Sequence, residues 1–301
     1  MNEREPMDQS PITTIRIALT KRCNLSCIFC HREGEPVTNG HDYEMTPSDI
    51  GHILSAAATL GISRVRFTGG EPLMRDDIVD IVSAAAPHMD DISLSTNGVL
   101  LERYARDLTS AGLGRVNVTL NSLDPATYAS MVGCDCHGQV LRGIEAAYAE
   151  GLTPLKLNVV LLKRNVGELD ALIDFLQDGM VLQLIELIAS REGEQDPFYQ
   201  ENHVPVAPIE AYLASRSSSV QGREKHNRKV YCLPQRVEVV GSMHNPTFCR
   251  NCTSIRLTSE GYVKKCLFDN EHLSKISDFS DEGHIAEVLA AAIKEKHPYW
   301  C

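Results

Sequence analysis

The stretch TKRCNLSCIFCHREGE, residues 20–35, sets Cys23, Cys27 and Cys30 in a C-x3-C-x2-C spacing. It runs on from IRIALT, residues 15–20, an apolar and β-branched run that reads as a strand. A cysteine loop at the carboxyl end of a first strand stands where parallel α/β barrels build their sites. Thiolates hold iron–sulfur clusters, and a four-iron cluster is closed by four of them. Three cysteines leave one iron open, a position where a substrate can bind, as at catalytic zinc. A zinc knuckle completed by His31, or plain buried thiols, is the competing reading of the same spacing.

Outward from this loop the same unit recurs. Apolar runs at 65–68, 92–95, 116–120, 157–162 and 181–188 alternate with stretches of helical character. One is opened by Thr46 and Pro47, with Ile50, Ile53, Leu54 and Ala57 at helical spacing; others lie near 76–86, 101–111, 138–150 and 167–177. Strand alternating with helix means βα units and a parallel sheet. Six units fall short of an eight-stranded barrel. A partial, open barrel is therefore the first reading of this α/β chain, and a doubly wound sheet the second. FTGGEP, residues 67–72, and LSTNG, residues 94–98, end the second and third strands, and their glycines let a backbone approach a ligand closely.

After Ser190 the pattern breaks. REGEQDPFYQENHVPVAP, residues 191–208, is polar with three prolines and reads as a long connection. SRSSSVQGREKHNRK, residues 215–229, reads as an exposed loop or linker. Two further strand-like runs fall within 230–275, and a last helical stretch at 282–296. The expected organisation is a barrel over 1–190, a connecting segment over 191–229, and a C-terminal region over 230–301 that closes the barrel.

The 301 residues are 43% hydrophobic, enough to bury a sizeable core. The formal charge is −11, which argues against a nucleic-acid or membrane-surface binder. A small anion remains an acceptable ligand through a few placed Arg and Lys. No run of 18 apolar residues occurs, and the polar start MNEREPMDQSP lacks an apolar h-region, so a cytoplasmic setting is expected. Ten cysteines there are not read as a disulfide framework.

The second cysteine group is HNPTFCRNCTSIRLTSEGYVKKCLF, residues 244–268. Its Cys249, Cys252 and Cys266 follow a C-x2-C-x13-C spacing, which serves zinc as well as iron–sulfur. Cys232 or Cys301 would close such a site as a fourth ligand. Cys134 and Cys136, in GCDCHG, are read as loop thiols, since no third cysteine is near them.

Taken together, the cysteine loop, GGEP and the six units resemble the radical S-adenosylmethionine (SAM) superfamily over about residues 12–190. The FC-xx-C-T-x-I-R-L-T-S-E-G…CLF segment, IRIALTKRCNLSCIFCHREGE and NVTLNSLD (117–124) are similar to the molybdenum cofactor biosynthesis protein A family, the GTP 3′,8-cyclases. That resemblance spans nearly the whole chain. It implies a partial (β/α)6 barrel with a C-terminal extension. It also implies two [4Fe–4S] clusters, one on Cys23, Cys27 and Cys30 with SAM on its open iron. The other, on Cys249, Cys252 and Cys266, would face the guanine of GTP.

By the same resemblance SAM would meet Phe29, Gly70, Thr119 and Ile188. GTP would meet Arg16, Arg66, Ser95, Lys156, Ser254, Ile255 and Arg256. A triphosphate carries about four charges, so convergent cations are needed in a chain this acidic. The chain departs from the family's C-T-R-x-R segment, where Ser254 replaces the first arginine and leaves Arg256 as the expected grip. Lys264, Lys265 and Arg250 are the nearby candidates to make up the charge. The family's bacterial members end in Gly-Gly, whereas this chain ends in HPYWC, with Trp300 expected to pack the tail.

The implied chemistry starts with one electron from the first cluster, which splits SAM into methionine and a 5′-deoxyadenosyl radical. The radical takes the C3′ hydrogen of GTP. The C3′ radical attacks C8, and reduction gives 3′,8-cyclo-7,8-dihydro-GTP. An external low-potential electron donor is implied, since the chain has no flavin or nicotinamide fingerprint. So is a downstream cyclic pyranopterin monophosphate synthase. The alternatives are another two-cluster radical SAM enzyme acting on a peptide or a different nucleotide, and a non-catalytic iron–sulfur or zinc protein.

Overall fold

Each strand of the chain's first half carries two messages. In the first strand, β1 (Thr14–Ala18), Ile15 and Ile17 are fully buried, while Arg16 between them points to the other face. β2 (Arg64–Thr68) repeats this with Val65 and Phe67 against Arg66, and β3 (Asp91–Thr96) with Ile92 and Leu94 against Ser93 and Ser95. Alternation places the apolar set on one face of a sheet and the polar set on the other. The apolar face packs under helices in a continuous core that includes Ile50, Ile53 and Leu54. These belong to the first helix, α1 (Pro47–Thr59). Thr46 begins it with a capping box, its hydroxyl accepting from the Asp49 amide (3.2 Å) and its amide donating to the Asp49 carboxylate (2.8 Å).

The computed structural model describes residues 11–35, 43–223 and 225–300. Its further helices are α2 (Ile78–Ala85), α3 (Leu101–Ser110), α4 (Pro125–Val132), α5 (His137–Ala149), α6 (Leu169–Asp174), α7 (Pro197–Asn202), α8 (Val206–Arg216), α9 (Pro246–Arg250) and α10 (Glu282–Lys294). The further strands are β4 (Arg115–Thr119), β5 (Leu155–Leu161), β6 (Met180–Glu186), β7 (Ser219–Arg223), β8 (Arg228–Cys232), β9 (Arg236–Val240), β10 (Ser254–Leu257), β11 (Tyr262–Lys264) and β12 (Ser274–Lys275). All form one sheet in the order β12-β11-β10-β1-β2-β3-β4-β5-β6-β9-β8-β7. From β10 through β1–β6 to β9 every pairing is parallel; β11–β12 and β8–β7 are added antiparallel at the two ends.

The six expected βα strands are therefore β1–β6, adjacent and in chain order. The C-terminal region does more than cap them. It adds β9 beside β6 and β10 beside β1, so the parallel run is longer than the six units read from the sequence. The segment 191–229, expected as a connection, holds α7, α8 and β7. Asp196 caps α7 by accepting from the Phe198 amide at 2.7 Å, with Pro197 at the first helical position. The supposed loop 215–229 is largely a hairpin, with Gln221 opposite Val230 and Arg223 opposite Arg228. Among the described residues no helix is long and apolar enough to cross a membrane.

The β10–β1 pairing joins the end of the chain to its beginning, and Ile255, opposite Ile15, is fully buried there. Ile255→Ala should cost about 2–5 kcal/mol, from lost transfer energy plus a cavity. Val220→Ala on the exposed edge strand β7 should change stability by less than about 0.5 kcal/mol. Urea unfolding of the two variants checks this; equal midpoints would mean that β10 does not close the sheet.

Candidate active site

The polar face of the sheet lines a cavity of about 410 Å³. All six cysteines of the two triplets line it, as do Phe29, Gly70, Thr119 and Ile188. So do Arg16, Arg66, Ser95, Lys156, Ser254 and Arg256. Ile255 is the exception among the expected site residues. It lies between Ser254 and Arg256 on β10, so strand alternation turns its side chain into the core, and the expectation that it meets the nucleotide is corrected for that side chain.

Register fixes where the triplets sit. β1 and β10 run parallel with Thr14 opposite Ser254. Cys23, Cys27 and Cys30 follow the carboxyl end of β1, whereas Cys249 and Cys252 precede the amino end of β10. The two groups therefore lie towards opposite ends of the parallel strands with one cavity between them. Cys134, Cys136 and Cys232 do not line it. Cys301, weighed as a fourth ligand, lies outside the described residues.

The glycine pair after β2 serves the first triplet directly. Gly69 has φ +140°, and a Cβ there would overlap the Thr20 carbonyl; one on Gly70 would overlap the Arg22 carbonyl. The amides of Gly70 and Glu71 donate to the Thr20 and Arg22 carbonyls at 2.7 and 2.8 Å. The backbone that approaches closely is thus the protein's own, docking the cysteine loop on the GGEP turn. Glu71, fully buried, accepts from the Thr96 hydroxyl (2.7 Å), the Asn97 amide (2.7 Å) and the Leu73 amide (3.0 Å). It ties the turns after β2 and β3 together. Burial nevertheless raises its carboxyl to about 6 against the lowering effect of these three donors.

Cations crowd the opposite half. Arg16 and Arg256 share Glu33, at 3.6 and 2.6 Å, and Thr68 donates to the same carboxylate at 3.0 Å. Burial pushes the Glu33 carboxyl up, but the two guanidiniums hold it well below the ordinary range. Lys156 and Arg223 meet Glu238 Oε1 at 2.7 and 2.6 Å, and Arg228 meets its Oε2 at 3.3 Å. Arg115 pairs with Asp91 through its Nε at 2.8 Å. Burial, followed by the nearby Arg256, lowers Arg16 to about 10. Cys252 feels the same crowd: burial raises its thiol, but Lys296, Arg256 and Lys225 bring it below the ordinary value.

Sequence reasoning missed Arg115, Arg223, Lys225, Arg228 and Lys296, all of which line the cavity. Arg115 stands just before the run read at 116–120 and opens β4, where alternation turns it to the polar face. The hairpin cations were hidden in a segment read as linker. Of the compensating candidates, Lys264 is fully buried on the Leu267 carbonyl (3.1 Å), Asn270 (2.6 Å) and the Gly34 carbonyl. Lys265 pairs with Glu295 at 2.6 Å, and Arg250 does not line the cavity. Trp300 does pack the tail, buried against His244 at 4.5 Å between ring centroids and under the Arg191 guanidinium at 5.5 Å.

The donor sets suit iron–sulfur clusters. Each is three thiols facing a shared space, and the Arg32 amide donates to the Cys30 sulfur at 3.4 Å. Among the described residues no three His, Cys, Asp or Glu side chains close around a single ion. Thiolates of a four-iron cluster sit on separate irons, so such a cluster does not require three thiols to converge on one ion.

The sequence matches the Radical SAM superfamily over residues 17–176 and Molybdenum Cofactor Synthesis C over residues 180–300. The probable GTP 3′,8-cyclases of Thermococcus kodakarensis and Pyrococcus abyssi are each 40% identical, covering 96% of this chain and 97% of theirs. That of Methanosarcina mazei is 39% identical over 96% of this chain and 87% of its own. In fold the chain is similar to Streptococcus suis SuiB bound to S-adenosylmethionine (TM-score 0.69, 16% identity, 93% of this chain and 66% of that one). It is also similar to anSMEcpe with bound AdoMet (TM-score 0.60, 15% identity, 94% of this chain and 80% of that one). These two likenesses bear on the fold alone. With the motifs, the sheet and near full-length relatives in agreement, this chain is an enzyme of the radical SAM superfamily and belongs to its GTP 3′,8-cyclase family.

Proposed function

We propose that the enzyme converts GTP to 3′,8-cyclo-7,8-dihydro-GTP in molybdenum cofactor synthesis. The observation that carries this reading is the single cavity with a cysteine triplet towards each end and a cationic wall between. Cys23, Cys27 and Cys30 would hold one [4Fe–4S] cluster, and Cys249, Cys252 and Cys266 a second. When bound, the first cluster supplies the electron that cleaves SAM, and SAM supplies the radical that takes hydrogen from the ribose.

The remaining work belongs to the chain. Phe29, Gly70, Thr119 and Ile188 would line the SAM position beside the first triplet. Arg16, Arg66, Ser95, Lys156, Ser254 and Arg256 would orient the nucleotide, its purine towards the second. A primary alkyl radical is indiscriminate, so selectivity at C3′ requires the ribose to be held in near-attack contact. The Glu33 bridge serves this by fixing Arg16 and Arg256 relative to the first cysteine loop. Enclosure by the sheet and the tail excludes water from the reactive species. An external low-potential donor would supply electrons, and a cyclic pyranopterin monophosphate synthase would take the product.

Two variants separate the roles of the triplets. Cys23→Ser should abolish formation of 5′-deoxyadenosine in anaerobic assays with reductant, SAM and GTP, because the first cluster loses an anchor. Wild-type yields would reject the assignment of the first triplet. Cys252→Ser should still form 5′-deoxyadenosine but give little cyclised GTP. Its iron content should fall from roughly eight per chain towards four. Unchanged iron and unchanged product per 5′-deoxyadenosine would make the second group structural.

A further inference from the structure

The cation beside Ser254 comes from the turn between β7 and β8. Lys225 Nζ lies 3.4 Å from Thr14 Oγ1. Thr14 is the register partner of Ser254, and the Ser254 hydroxyl is buried with no hydrogen-bond partner. Six other cations of the cavity already have carboxylates: Glu33 for Arg16 and Arg256, Glu238 for Lys156, Arg223 and Arg228, and Asp91 for Arg115, while Lys296 donates to the Lys265 carbonyl. Lys225 and Arg66 both line the cavity, and among the described residues neither has an ion pair. Arg66 reaches the Ser93 hydroxyl at 3.5 Å. Glu224, the neighbour of Lys225 in sequence, lies outside the described residues.

Two half-buried cations facing one space without an anion are costly to keep, and such a cost persists where a ligand offsets it. The electrostatics agree. Burial, then Arg66 and Arg16, pulls the Lys225 ammonium down to about 6. Burial, then Arg16, lowers Arg66 to about 9. Each is destabilised by the other cations and by lost solvent, which is what an approaching polyanion would reverse.

We infer that Lys225 and Arg66, with the Ser254 hydroxyl beside them, form the subsite for the polyphosphate tail of the nucleotide, an inference that rests on the GTP reading above. The phosphates supply the counter-charge that both cations lack, and the Ser254 hydroxyl donates to a phosphate oxygen. Lys225 thereby returns, from a neighbouring hairpin, the charge that a serine at 254 takes away from β10. Arg256, held by Glu33, is a positioning residue for this subsite more than its main grip.

The test uses the cluster-reconstituted enzyme and calorimetric titration with GTP, guanosine and inorganic tripolyphosphate at fixed salt. Lys225→Ala should weaken GTP and tripolyphosphate binding by about 10-fold to 100-fold, the effect of one charge-assisted hydrogen bond, and leave guanosine unaffected. Lys225→Arg should recover most of the loss, which a misfolded hairpin would not. Lys229→Ala, on an exposed lysine of the same hairpin paired with Glu210 at 3.1 Å, should bind like wild type. If Lys225→Ala binds both phosphate ligands as tightly as wild type, the subsite is wrong and the GTP reading stands. If wild type binds tripolyphosphate through Lys225 but not GTP, the subsite stands and the GTP reading falls. If wild type binds neither, both are overturned.

Discussion

A half-buried carboxylate, Glu33, ties a segment near the start of the chain to one near its end. It lies three residues beyond Cys30, forms an ion pair with Arg16 on the first strand and accepts from Arg256 on β10, near the far end of the sequence. A charge removed from water must be paired, and here the pairing decides the geometry. Arg32 and Glu33 adopt φ of +49° and +53°, unfavourable for residues with a Cβ. Such a backbone persists where its surroundings over-determine it, and the three-way contact with Arg16, Arg256 and Thr68 does so. The cysteine loop is thereby fastened from below by Glu33 and from the side by the GGEP turn.

That fastening matters because the barrel interior is not a hydrophobic core. In eight-stranded barrels the inward residues fill the interior with apolar layers. Here the inward set is Arg16, Arg66, Ser93, Arg115, Lys156 and Gln183, and the core lies outside, between sheet and helices. The interior must then be held open by charge pairing, not by packing. Glu33, Asp91 and Glu238 each carry part of that task, Glu238 for three cations. The arrangement gives up stability that an apolar interior would have provided, and gains a wall that can meet a polyanion.

What was legible in the sequence follows the strength of the local signal. β1–β6 showed because alternation of Ile, Val and Leu with polar residues is strong and each strand is followed by a helix. The triplets showed because thiolate spacing is chemically specific. β7 did not show: SVQGR has one large apolar residue, an exposed valine, and forms a strand only by pairing with β8. Such an edge strand has no buried face to write a pattern. The same blindness hid Lys225, whose place in the cavity depends on where a hairpin turn lands against β1. Ile255 is the opposite case. Treating Ser254–Arg256 as one motif placed it in the site, although alternation alone already turned it inward to the core.

The remaining constraint is the contrast between outside and inside. The chain as a whole carries a formal net charge of −11. Its cavity nevertheless gathers arginines and lysines in excess of the carboxylates paired with them. Fields of opposite sign on the surface and in a cleft discriminate by size, since a long polyanion meets mostly the surface and a short one can reach the cleft. On the proposed reading, cofactors would supply the hard chemistry and the chain would contribute this selection. It would admit a compact, highly charged ligand and hold it between two groups of cysteines that lie towards opposite ends of the parallel strands. On that reading loss of any one cation would shift affinity, whereas loss of register between β1 and β10 would move an entire triplet relative to the other.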